Sequence, residues 1–572
     1  MKKWILKPQP GDKYREKFSN YSKFIQTIFY QIGIETSEEA EDFFSLDYEN
    51  GLHDPQLLSG IKVGAKRILK AIKNKEKIAI YGDYDADGVT ASTVLSQFFR
   101  ELKIETIIYI PDRVDEGYGL NEKAISYLKD KKVKLVITVD TGVRDVEEAQ
   151  LFKKEKIDLI ITDHHILPKK LPEAIAIINP HQDKGKYPFE DLAGVGVAFK
   201  LVQFLISKIG EDKFSVGFEK WLLDLVALGT IADMVPLKGE NRTLVKYGLI
   251  VLSKTKKLGL RLLMKNAKVS LDDKRPITSE IVAFQIAPRI NAAGRMDHAN
   301  NACVLLNAED AIEAKKLANQ LEDQNQARRN VTSKILREVE KMDFGNKKII
   351  IVGKDDWPLG VIGLAAGRLC DKFNRPVLVY GKDKNQVRGS ARSIASFNII
   401  KALDELNDLL VAHGGHKQAA GFTVSKKNLS KFKKGLEEIA EREIQAKDLI
   451  SKQRIDYKIS FDEIGQNLEE ELKALEPYGV GNPEPIFLIK NAQVCQVRFV
   501  GKTQKHLKLL VCERKEKAGL IKYVGCIGFN FENHTGKIKP GDLVDIVFNL
   551  SVNYFNGKES LEFKMIDLRV KS

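Results

Sequence analysis

From residue 77 to residue 178, short apolar runs alternate with longer stretches in which apolar residues recur at helical spacing. Apolar runs of four or five residues predict buried strands, and the stretches between them predict helices. Strands that alternate with helices form a parallel sheet with helices on both faces. The predicted strands are 77–80, 106–110, 135–139, 158–162 and 174–178, and the predicted helices are 89–102, 121–129 and 146–154.

The rest of the chain shows three other patterns. Residues 305–341 form a long, highly charged helical pattern that includes Asn325 and Arg328. This helix is expected to bridge two lobes, with its charged residues on a solvated face. A second α/β unit follows, with strands at 349–352 and 376–380 and a helix at 360–370 between them. Residues 486–572 alternate apolar and polar positions in short runs, which is typical of a small β-barrel. Its expected turns contain Gly501, Gly525, Gly536, Gly541 and Gly557.

These patterns predict an α/β protein with several domains, since one domain averages about 150 residues and the chain has 572. The predicted order is an N-terminal helical region (1–70), a parallel-sheet domain (71–300), a long connecting helix (301–344), a second α/β domain (345–450), a linker (451–485) and a C-terminal β-barrel (486–572).

Composition and charge narrow the functional class. The first residues do not form a signal peptide, and no run approaches the ~18 apolar residues of a membrane span. We therefore expect a cytoplasmic protein without a membrane partner. The five cysteines lack Cys-x-x-Cys spacing, so free thiols are expected. The net charge is +14, and residues 486–572 carry half of it, with 15 Lys and Arg against 8 Asp and Glu, which favours nucleic acid as a partner.

The first predicted strand is followed by three carboxylates in alternation, Asp83, Asp85 and Asp87, and then by Gly88, where the chain can turn. Three carboxylates within five residues repel one another unless protons or cations relieve the repulsion. Hard oxygen ligands suit Mg²⁺ or Mn²⁺. The alternative interpretation is a solvated turn in which one aspartate caps the following helix.

Two neighbouring strands also end in ligand-type side chains. Residues 135–139 are followed by Asp140, and residues 159–162 by Asp163, His164 and His165. Each alone has a structural explanation, such as a helix cap or an ordinary polar residue. Ligands bind outside the carboxyl ends of parallel strands, so together these residues favour a common site. With Asp233 at the end of an apolar helix, about seven candidate ligands are present, enough for two divalent cations.

Four of these segments resemble the motifs of the DHH phosphoesterase superfamily, which is named after its Asp-His-His triplet. They are Asp83-Tyr-Asp-Ala-Asp-Gly88, Asp140-Thr-Gly142, Asp163-His-His165 and Gly229-Thr-Ile-Ala-Asp-Met-Val235. Two more segments, 111–120 and 287–296, and the domain order resemble the RecJ family of single-strand-specific 5′→3′ exonucleases. The resemblance covers roughly residues 45 to 572.

The resemblance implies metal-dependent hydrolysis of single-stranded DNA from the 5′ end, with release of mononucleotides, in DNA repair and recombination. It implies two Mn²⁺ or Mg²⁺ ions. Asp140 would hold both ions, Asp85 with Asp83 one of them, and Asp87, His164 and Asp233 the other. His165 would face the scissile phosphate or support the ligands. The implied catalytic set is therefore Asp83, Asp85, Asp87, Asp140, His164, His165 and Asp233.

The glycine-rich segments 387–393 and 413–422 resemble the DHHA1 domain that accompanies this catalytic type. Backbone amides beside glycines and a guanidinium can grip phosphate oxygens together. By resemblance, Arg113, Ser390 and Arg392 would bind the terminal phosphate, and Arg289 and Arg295 would line the strand path. Tyr118, Gly415 and His416 complete the expected substrate contacts. One departure is Pro358, near which a histidine is expected, so no chemistry is assigned to that loop.

The C-terminal barrel is expected to be an OB-fold that tracks single strands, with bases stacked on aromatic residues and cations along the backbone. Single-strand-binding protein and repair helicases are expected partners, and a monomer is expected. Other interpretations stay open: a pyrophosphatase, a phosphodiesterase for short or cyclic oligonucleotides, and a scaffold that only binds DNA. The candidate barrel contacts are Phe499, Lys502, Lys505, His506, Lys508, Arg514, Lys515, Tyr523, Phe529 and Phe531.

Overall fold

The computed structural model describes residues 2–113, 115–270, 276–383, 385–501, 503–513, 522–555 and 558–571. Its buried strands are rich in Val, Ile and Leu, which favour extended backbone. The strands are β1 (Lys3–Leu6), β2 (Ile78–Gly82), β3 (Thr106–Tyr109), β4 (Leu135–Val139), β5 (Asp158–Thr162), β6 (Ala176–Ile178), β7 (Ile350–Gly353), β8 (Val377–Asp383), β9 (Gln386–Arg392), β10 (Leu410–His416), β11 (Ala419–Ser425), β12 (Lys452–Ile455), β13 (Tyr457–Lys458), β14 (Phe487–Val500), β15 (His506–Glu513), β16 (Tyr523–Gly528), β17 (Leu543–Phe555) and β18 (Lys558–Val570).

Several helices begin where a polar side chain caps the first turn. Ser22, Asn121 and Asp310 each accept a backbone N–H that the helix itself leaves unpaired. The helices are α1 (Asp12–Lys17), α2 (Lys23–Ile32), α3 (Ser37–Phe44), α4 (Ile61–Lys73), α5 (Ala86–Glu101), α6 (Glu122–Asp130), α7 (Val146–Lys154), α8 (Gly194–Ile209), α9 (Phe218–Trp221), α10 (Leu223–Asp233), α11 (Gly239–Ser253), α12 (Leu258–Asn266), α13 (Ser279–Ile281), α14 (Ala287–Met296), α15 (Asn300–Asn307), α16 (Ala311–Glu340), α17 (Leu359–Phe373), α18 (Ile399–Asp404), α19 (Leu429–Glu443) and α20 (Gln466–Leu475).

The first sheet has the strand order β3-β2-β4-β5-β6, and all its strands are parallel. Successive side chains of β2 point to opposite faces. Ile78 and Ile80 pack in one core with α4, α5 and α8, whereas Ala79 and Tyr81 pack in another with α6 and α7. The predicted parallel sheet with helices on both faces is therefore confirmed.

The helix after β2 begins at Ala86, three residues before the predicted start. The reason is Asp85, whose Oδ1 accepts the backbone N–H groups of Asp87 and Gly88. Because the helix begins at this cap, Asp87 lies in its first turn. The capping interpretation of the acidic segment is thus true of Asp85, and it leaves the other carboxylates available.

Helix α10 is apolar on every side and is buried among α5, α8 and α11. A helix that is hydrophobic all round belongs to the interior of a domain. Helix α10 runs through the core and ends at Asp233. This residue therefore lies at the edge of the sheet where β2, β4 and β5 end.

The second α/β domain follows the 30-residue helix α16. Its sheet has the order β10-β11-β9-β8-β7, in which β7 and β8 are parallel and the other neighbours are antiparallel. Helix α17 packs on β8 and β9. Since β9 pairs with both β8 and β11, Ser390 and Arg392 lie in the middle of this sheet.

The C-terminal strands close into a five-stranded barrel. The order is β14-β15-β16-β18-β17, and β17 pairs back with β14. A β-bulge lies in β14 between Val494 and Gln496, as is common where a small barrel must bend. The predicted OB-type barrel is confirmed. Of the candidate barrel contacts, Lys502, Arg514 and Lys515 lie outside the described residues, as does Gly557 among the expected turns.

The chain divides into two compact units, residues 1–46 with 451–572, and residues 47–450. In the first unit, Phe24 and Phe29 share one hydrophobic core with the barrel residues Phe487 and Phe548. The segment 451–485, which the sequence predicts as a linker, contains β12, β13 and α20 and adds buried apolar side chains to the same core. The N-terminal residues are therefore part of the fold of the barrel unit.

Among the described residues, no helix is long and apolar enough to cross a membrane. All five cysteines are free thiols, as predicted, and four of them are buried.

Candidate metal centre and phosphate-binding side chains

The structure brings the seven predicted catalytic residues to one edge of the parallel sheet. Their ligand atoms form three overlapping groups, within each of which all atoms lie within 4.8 Å of one another. Asp140 and His164 each belong to two groups, so the groups form one continuous centre. The groups are Asp83, Asp85 and Asp140; Asp87, His164 and Asp233; and Asp140, His164 and His165.

Three buried polar atoms at this centre complete no hydrogen bond within the described residues: Oδ1 of Asp83, Oδ1 of Asp140 and Nε2 of His164. An unpaired buried polar atom costs free energy unless a partner is supplied. Carboxylate oxygens and one imidazole nitrogen are a donor set that suits Mn²⁺ or Mg²⁺. The residues present therefore fit divalent cations.

Asp140 lies in a strained backbone conformation, with φ at +61°. This left-handed region is unfavourable for most residues and is tolerated best by Gly, Asn and Asp. The space around its side chain is also restricted, because a Cβ at Gly194 would lie 2.6 Å from Oδ1 of Asp140. A glycine at the start of α8 therefore lets the helix approach the carboxylate that two ligand groups share.

Asp87 is held by the N-terminus of α8. Its Oδ2 accepts the N–H of Gly194 at 2.7 Å, and its Oδ1 accepts the N–H of Val195 at 2.9 Å. Free amides and the helix dipole favour a negative charge at this position. Gly229 on α10 allows the close approach, since a Cβ there would lie 2.8 Å from Oδ1 of Asp87.

Asp163 has a supporting role that the sequence did not assign to it. Its Oδ1 accepts the backbone N–H groups of His164 and His165 and lies 2.7 Å from Nδ1 of His165. Its Oδ2 accepts the N–H of Val143. Because both oxygens are used inside the protein, Asp163 orients the two histidines. In the sequence, the place of Asp163 directly before His164 and His165 could have indicated this orienting role.

The protonation equilibria show how strongly the carboxylates are crowded. Burial and neighbouring aspartates raise the pKa of Asp83, Asp87 and Asp140 well above the usual value. Burial and Asp85 raise the pKa of Asp233 to about 6. Bound cations would remove this repulsion, since they favour the charged carboxylates.

The two histidines titrate in opposite directions. Burial lowers the pKa of His164 to about 4, so this ring is neutral and can donate its nitrogen lone pair to a metal. Burial also disfavours the charged form of His165, but the ion pair with Asp163 outweighs burial and raises the pKa of His165. A cationic His165 suits a phosphate neighbour better than a metal ligand.

Three of the predicted phosphate contacts lie near one another. The Arg113 guanidinium stacks on the Tyr84 ring at 4.8 Å. Arg295 donates to the Gly360 carbonyl at the start of α17, and burial together with Arg113 lowers its pKa to about 10. Burial and Arg113 also lower the pKa of Arg392. Like charges held together in this way favour an anionic ligand.

Ser390 and Arg392 lie on the same face of β9. Arg392 Nη1 donates to Ser390 Oγ at 3.0 Å. Gly363 of α17 faces both side chains, because a Cβ there would lie 3.1 Å from Ser390 Oγ and 3.5 Å from Arg392 Nη2. The glycine thus lets α17 approach the hydroxyl of Ser390 and the guanidinium of Arg392 closely.

The other predicted substrate contacts differ in their surroundings. Tyr118 approaches the metal centre, with its hydroxyl 3.3 Å from Nδ1 of His165. Arg289 is buried and forms an ion pair with Glu322 of α16. Gly415 and His416 are exposed on β10, which β11 separates from β9.

Sequence reasoning placed Asn325 and Arg328 on a solvated face, and this interpretation is wrong. Asn325 is buried, and it accepts a hydrogen bond from Arg328 Nη2 at 2.8 Å. Arg328 is half-buried, and its Nε has no partner among the described residues. It also contributes to the lowered pKa of Arg295. Helix α16 therefore places Arg328 close enough to Arg295 to affect its pKa.

Comparisons with known proteins agree with this architecture. The model of the DHH family N-terminal domain matches residues 77–230, that of the DHHA1 domain residues 346–442, and that of the RecJ OB domain residues 455–567. A parallel sheet with clustered metal ligands at its strand ends, followed by these two domains, defines a metal-dependent phosphoesterase of the DHH class.

The chain belongs to the RecJ family. It is 37% identical over 576 residues to the single-stranded-DNA-specific exonuclease RecJ of Bacillus subtilis, covering 99% of this chain and 71% of that protein. The structure of RecJ with Mn²⁺ from Thermus thermophilus matches with a TM-score of 0.82 and 28% identity, over 100% of this chain and 80% of that chain. The structure with Mg²⁺ from the same source matches with a TM-score of 0.75 and 28% identity, over 100% and 79%.

Proposed function

We propose that this chain is a single-strand-specific DNA exonuclease that releases mononucleotides from the 5′ end with two divalent cations. The observation that carries the proposal is the set of three overlapping ligand groups, in a member of the RecJ family. A role in DNA repair and recombination is consistent with that family.

In this proposal the ligands divide between two cations. Asp85, with Asp83, would hold one cation, and Asp87, His164 and Asp233 would hold the other, while Asp140 would contribute to both. Such cations would lower the pKa of a bound water and would neutralise charge on the phosphate. The protein contributes the fixed geometry of the ligands and limits the access of bulk water, since Asp83, Asp87 and Asp140 are buried and the other three ligands are partly buried.

His165 is the proposed contact to the scissile phosphate. Its charge is maintained by Asp163, whose carboxylate lies 2.7 Å from Nδ1. A cationic imidazole beside the centre would stabilise the negative charge that develops on the phosphate oxygens.

Recognition of the 5′ end is assigned to Arg113, Ser390 and Arg392. A guanidinium grips phosphate with two parallel hydrogen bonds, and Arg392 places its guanidinium next to the Ser390 hydroxyl, a second group that can bond to a phosphate oxygen. Arg295 and Arg289 are proposed along the strand path, and because Arg289 is buried and paired with Glu322, its contribution would be to support that path. Tyr118, Gly415 and His416 remain further proposed contacts.

The domain assignments support a polymeric substrate. We propose a catalytic domain at 71–300, a connecting helix at 301–344, a DHHA1 domain at 345–450 and an OB domain at 486–572, with 1–70 and 451–485 as the remaining segments. Exposed Tyr523 and Phe529 on the barrel offer stacking surfaces for bases. A pyrophosphatase or a small-oligonucleotide phosphodiesterase would not need such a barrel.

An inactive DNA-binding scaffold is disfavoured because every expected ligand position is filled, and a binding module gains nothing from crowded buried carboxylates. Single-strand-binding protein and repair helicases are proposed partners, since exposed single strands in cells are handled by such proteins. A monomer in the cytoplasm, where the DNA substrate is found, completes the proposal.

The test is digestion of a single-stranded oligonucleotide labelled at either end, with a matching duplex, in Mn²⁺, Mg²⁺ or EDTA. We expect stepwise release of mononucleotides from the 5′ end of the single strand, only with metal. Asp140→Ala should lose this activity, and Asp130→Ala, an exposed change at the end of α6, should keep it. An intact strand with either metal would favour the scaffold, and cleavage of dinucleotides or pyrophosphate alone would favour the small-substrate enzymes.

A further inference from the structure

Asp145 occupies the position that normally caps helix α7, but its side chain makes no capping hydrogen bond. Instead, Oδ2 accepts the backbone N–H of Leu120 at 2.7 Å. An aspartate at an N-cap usually contributes about 0.5–2 kcal/mol to its own helix. Here the carboxylate is directed to a loop 25 residues earlier in the chain, so a tertiary contact replaces a local one.

The loop that Asp145 holds is fixed from two sides. Gly119 has φ at +92°, and a Cβ at this residue would lie 2.8 Å from both carboxylate oxygens of Asp145. Its carbonyl accepts a hydrogen bond from the buried Tyr81 hydroxyl at 2.8 Å. A left-handed glycine between two such contacts leaves the backbone little freedom.

Tyr118 immediately precedes this fixed glycine. Its hydroxyl lies 3.3 Å from Nδ1 of His165 and 3.5 Å from the carbonyl oxygen of Asp140. Its ring is nearly half exposed, and it packs edge-on against Tyr84, the ring on which Arg113 stacks. The hydroxyl is thus anchored at the metal centre while the ring remains accessible to a ligand.

We propose that Asp145 is a positioning residue that, by holding the Gly119–Leu120 backbone, fixes the ring of Tyr118 against the terminal nucleotide. This inference rests on the proposed function, because it assigns Tyr118 a substrate. Asp145 touches neither the metal ligands nor the substrate, and it acts only through the loop. Because affinity for a long strand comes mainly from the arginines and the barrel, the effect falls on turnover.

The test is a double-mutant cycle with Asp145→Ala, Tyr118→Ala and the combined variant, measured on a 5′-phosphorylated single strand in Mn²⁺. We expect Asp145→Ala to lower kcat about tenfold, within the range of couplings between neighbouring residues, and to change the Kd for the strand less than about twofold. In the Tyr118→Ala background, Asp145→Ala should have no further effect. Additive losses, or wild-type kcat in Asp145→Ala, would overturn the inference.

Two variants separate positioning from general stability. Asp145→Asn keeps an oxygen that can accept the Leu120 N–H, so it should restore wild-type kcat. Asp310→Ala removes a real cap, since Asp310 accepts the N–H groups of Ile312 and Glu313 at the start of α16. It should lower the melting temperature and leave kcat unchanged. Loss of kcat in Asp145→Asn equal to that in Asp145→Ala would contradict the role of the hydrogen bond.

Hydrogen exchange of the amides of residues 118–121 gives a readout that does not need activity. Asp145→Ala should speed this exchange, while Asp145→Asn and Asp310→Ala should not. Unchanged exchange in Asp145→Ala would overturn the inference. A different outcome is also informative. If the wild-type protein digests no single strand but Asp145→Ala still speeds the exchange, the loop contact exists and the proposed function fails.

Discussion

Nε2 of His164 lies 3.1 Å from Oδ1 of Asp140, yet neither atom completes a hydrogen bond within the described part of the chain. A neutral imidazole and a buried carboxylate held this close without hydrogen bonding are unfavourable by themselves. A shared cation would satisfy both atoms. The polar groups of this centre are therefore arranged to bind a cation. In the metal-free protein this arrangement lowers the stability of the folded state.

Asp140→Asn should stabilise the metal-free protein. The change removes one of several crowded buried charges, and asparagine tolerates the left-handed backbone that Asp140 adopts at φ +61°. We expect the melting temperature in EDTA to rise by about 2–4 °C and activity in Mn²⁺ to be lost. A melting temperature below that of the wild type in EDTA would contradict the crowding argument.

Asp233 should make the stability of the metal-free protein depend on pH. Its pKa is raised from 3.8 to about 6 in the folded protein, so the folded state binds its proton more tightly than the unfolded state. This contribution is complete below pH 3.8, and it is lost as the pH rises through 6. His164, whose pKa is lowered, contributes with the opposite sign.

Comparison with Asp233→Asn removes the direct contribution of His164, which is present in both proteins, and reports the Asp233 carboxyl together with its effect on Asp87 and Asp140. In EDTA, the melting temperature of the wild type relative to the variant should fall by about 2–4 °C between pH 4 and pH 7. In saturating Mn²⁺ at pH 7 the wild type should be the more stable protein, since the carboxylate then has its cation. A difference that does not vary with pH would contradict the raised pKa.

Arg392→Ala should reduce the preference for 5′-phosphorylated ends. Its guanidinium is half-buried beside Ser390 and Gly363, and in the proposed function it would give two hydrogen bonds to a terminal phosphate. A charged hydrogen bond contributes about 1.5–3 kcal/mol, so kcat/KM for phosphorylated strands should fall about 10- to 100-fold and that for unphosphorylated strands much less.

The matched control for this change is Arg388→Ala. Arg388 lies on the same face of β9, but it is exposed and forms an ion pair with Asp383. It should leave the end preference unchanged. Equal losses on both kinds of strand in Arg392→Ala would remove Arg392 from end recognition.

Asp163→Asn should slow the reaction without removing the metals. The amide would place an N–H₂ group against the N–H of Val143 or of His165, since both oxygens of Asp163 accept hydrogen bonds. Loss of a group that orients a metal-site histidine typically costs about 10- to 100-fold in activity. Asp158→Asn, at the other end of β5, breaks an ion pair with Arg67 and should keep activity. Wild-type kcat in Asp163→Asn would refute the orienting role.

How well the sequence predicted each feature depends on how far apart in the chain the interacting residues lie. Apolar runs and the residues that follow them were local signals, so β2, β4 and β5 and the carboxylates at their ends were predicted. The roles of Asp145 and Arg328 depend on contacts between distant segments, for which no local pattern exists. The boundary of α5 was missed because the capping Asp85 also looked like a metal ligand.

The sequence also did not predict that residues 1–46 belong to the barrel unit, because this too depends on contacts between distant segments. The sequence predicts only a helical region at 1–70, and nothing in its spacing showed that Phe24 meets Phe487, with ring centroids 5.3 Å apart. Strand β1 pairs with β12, so that Lys3 lies opposite Lys452. Such contacts can be found only when both partners are seen together.

Phe24→Ala should therefore destabilise the barrel unit. The ring is buried against Tyr457 and Phe487, and removing a buried phenylalanine costs about 3–5 kcal/mol. We expect a lower unfolding temperature for the barrel unit, weaker binding of long single strands and retained cleavage of short ones. Tyr30→Ala, an exposed change on the same helix, is the control. Equal behaviour of the two variants in thermal unfolding would show that the N-terminal residues do not contribute to the barrel core.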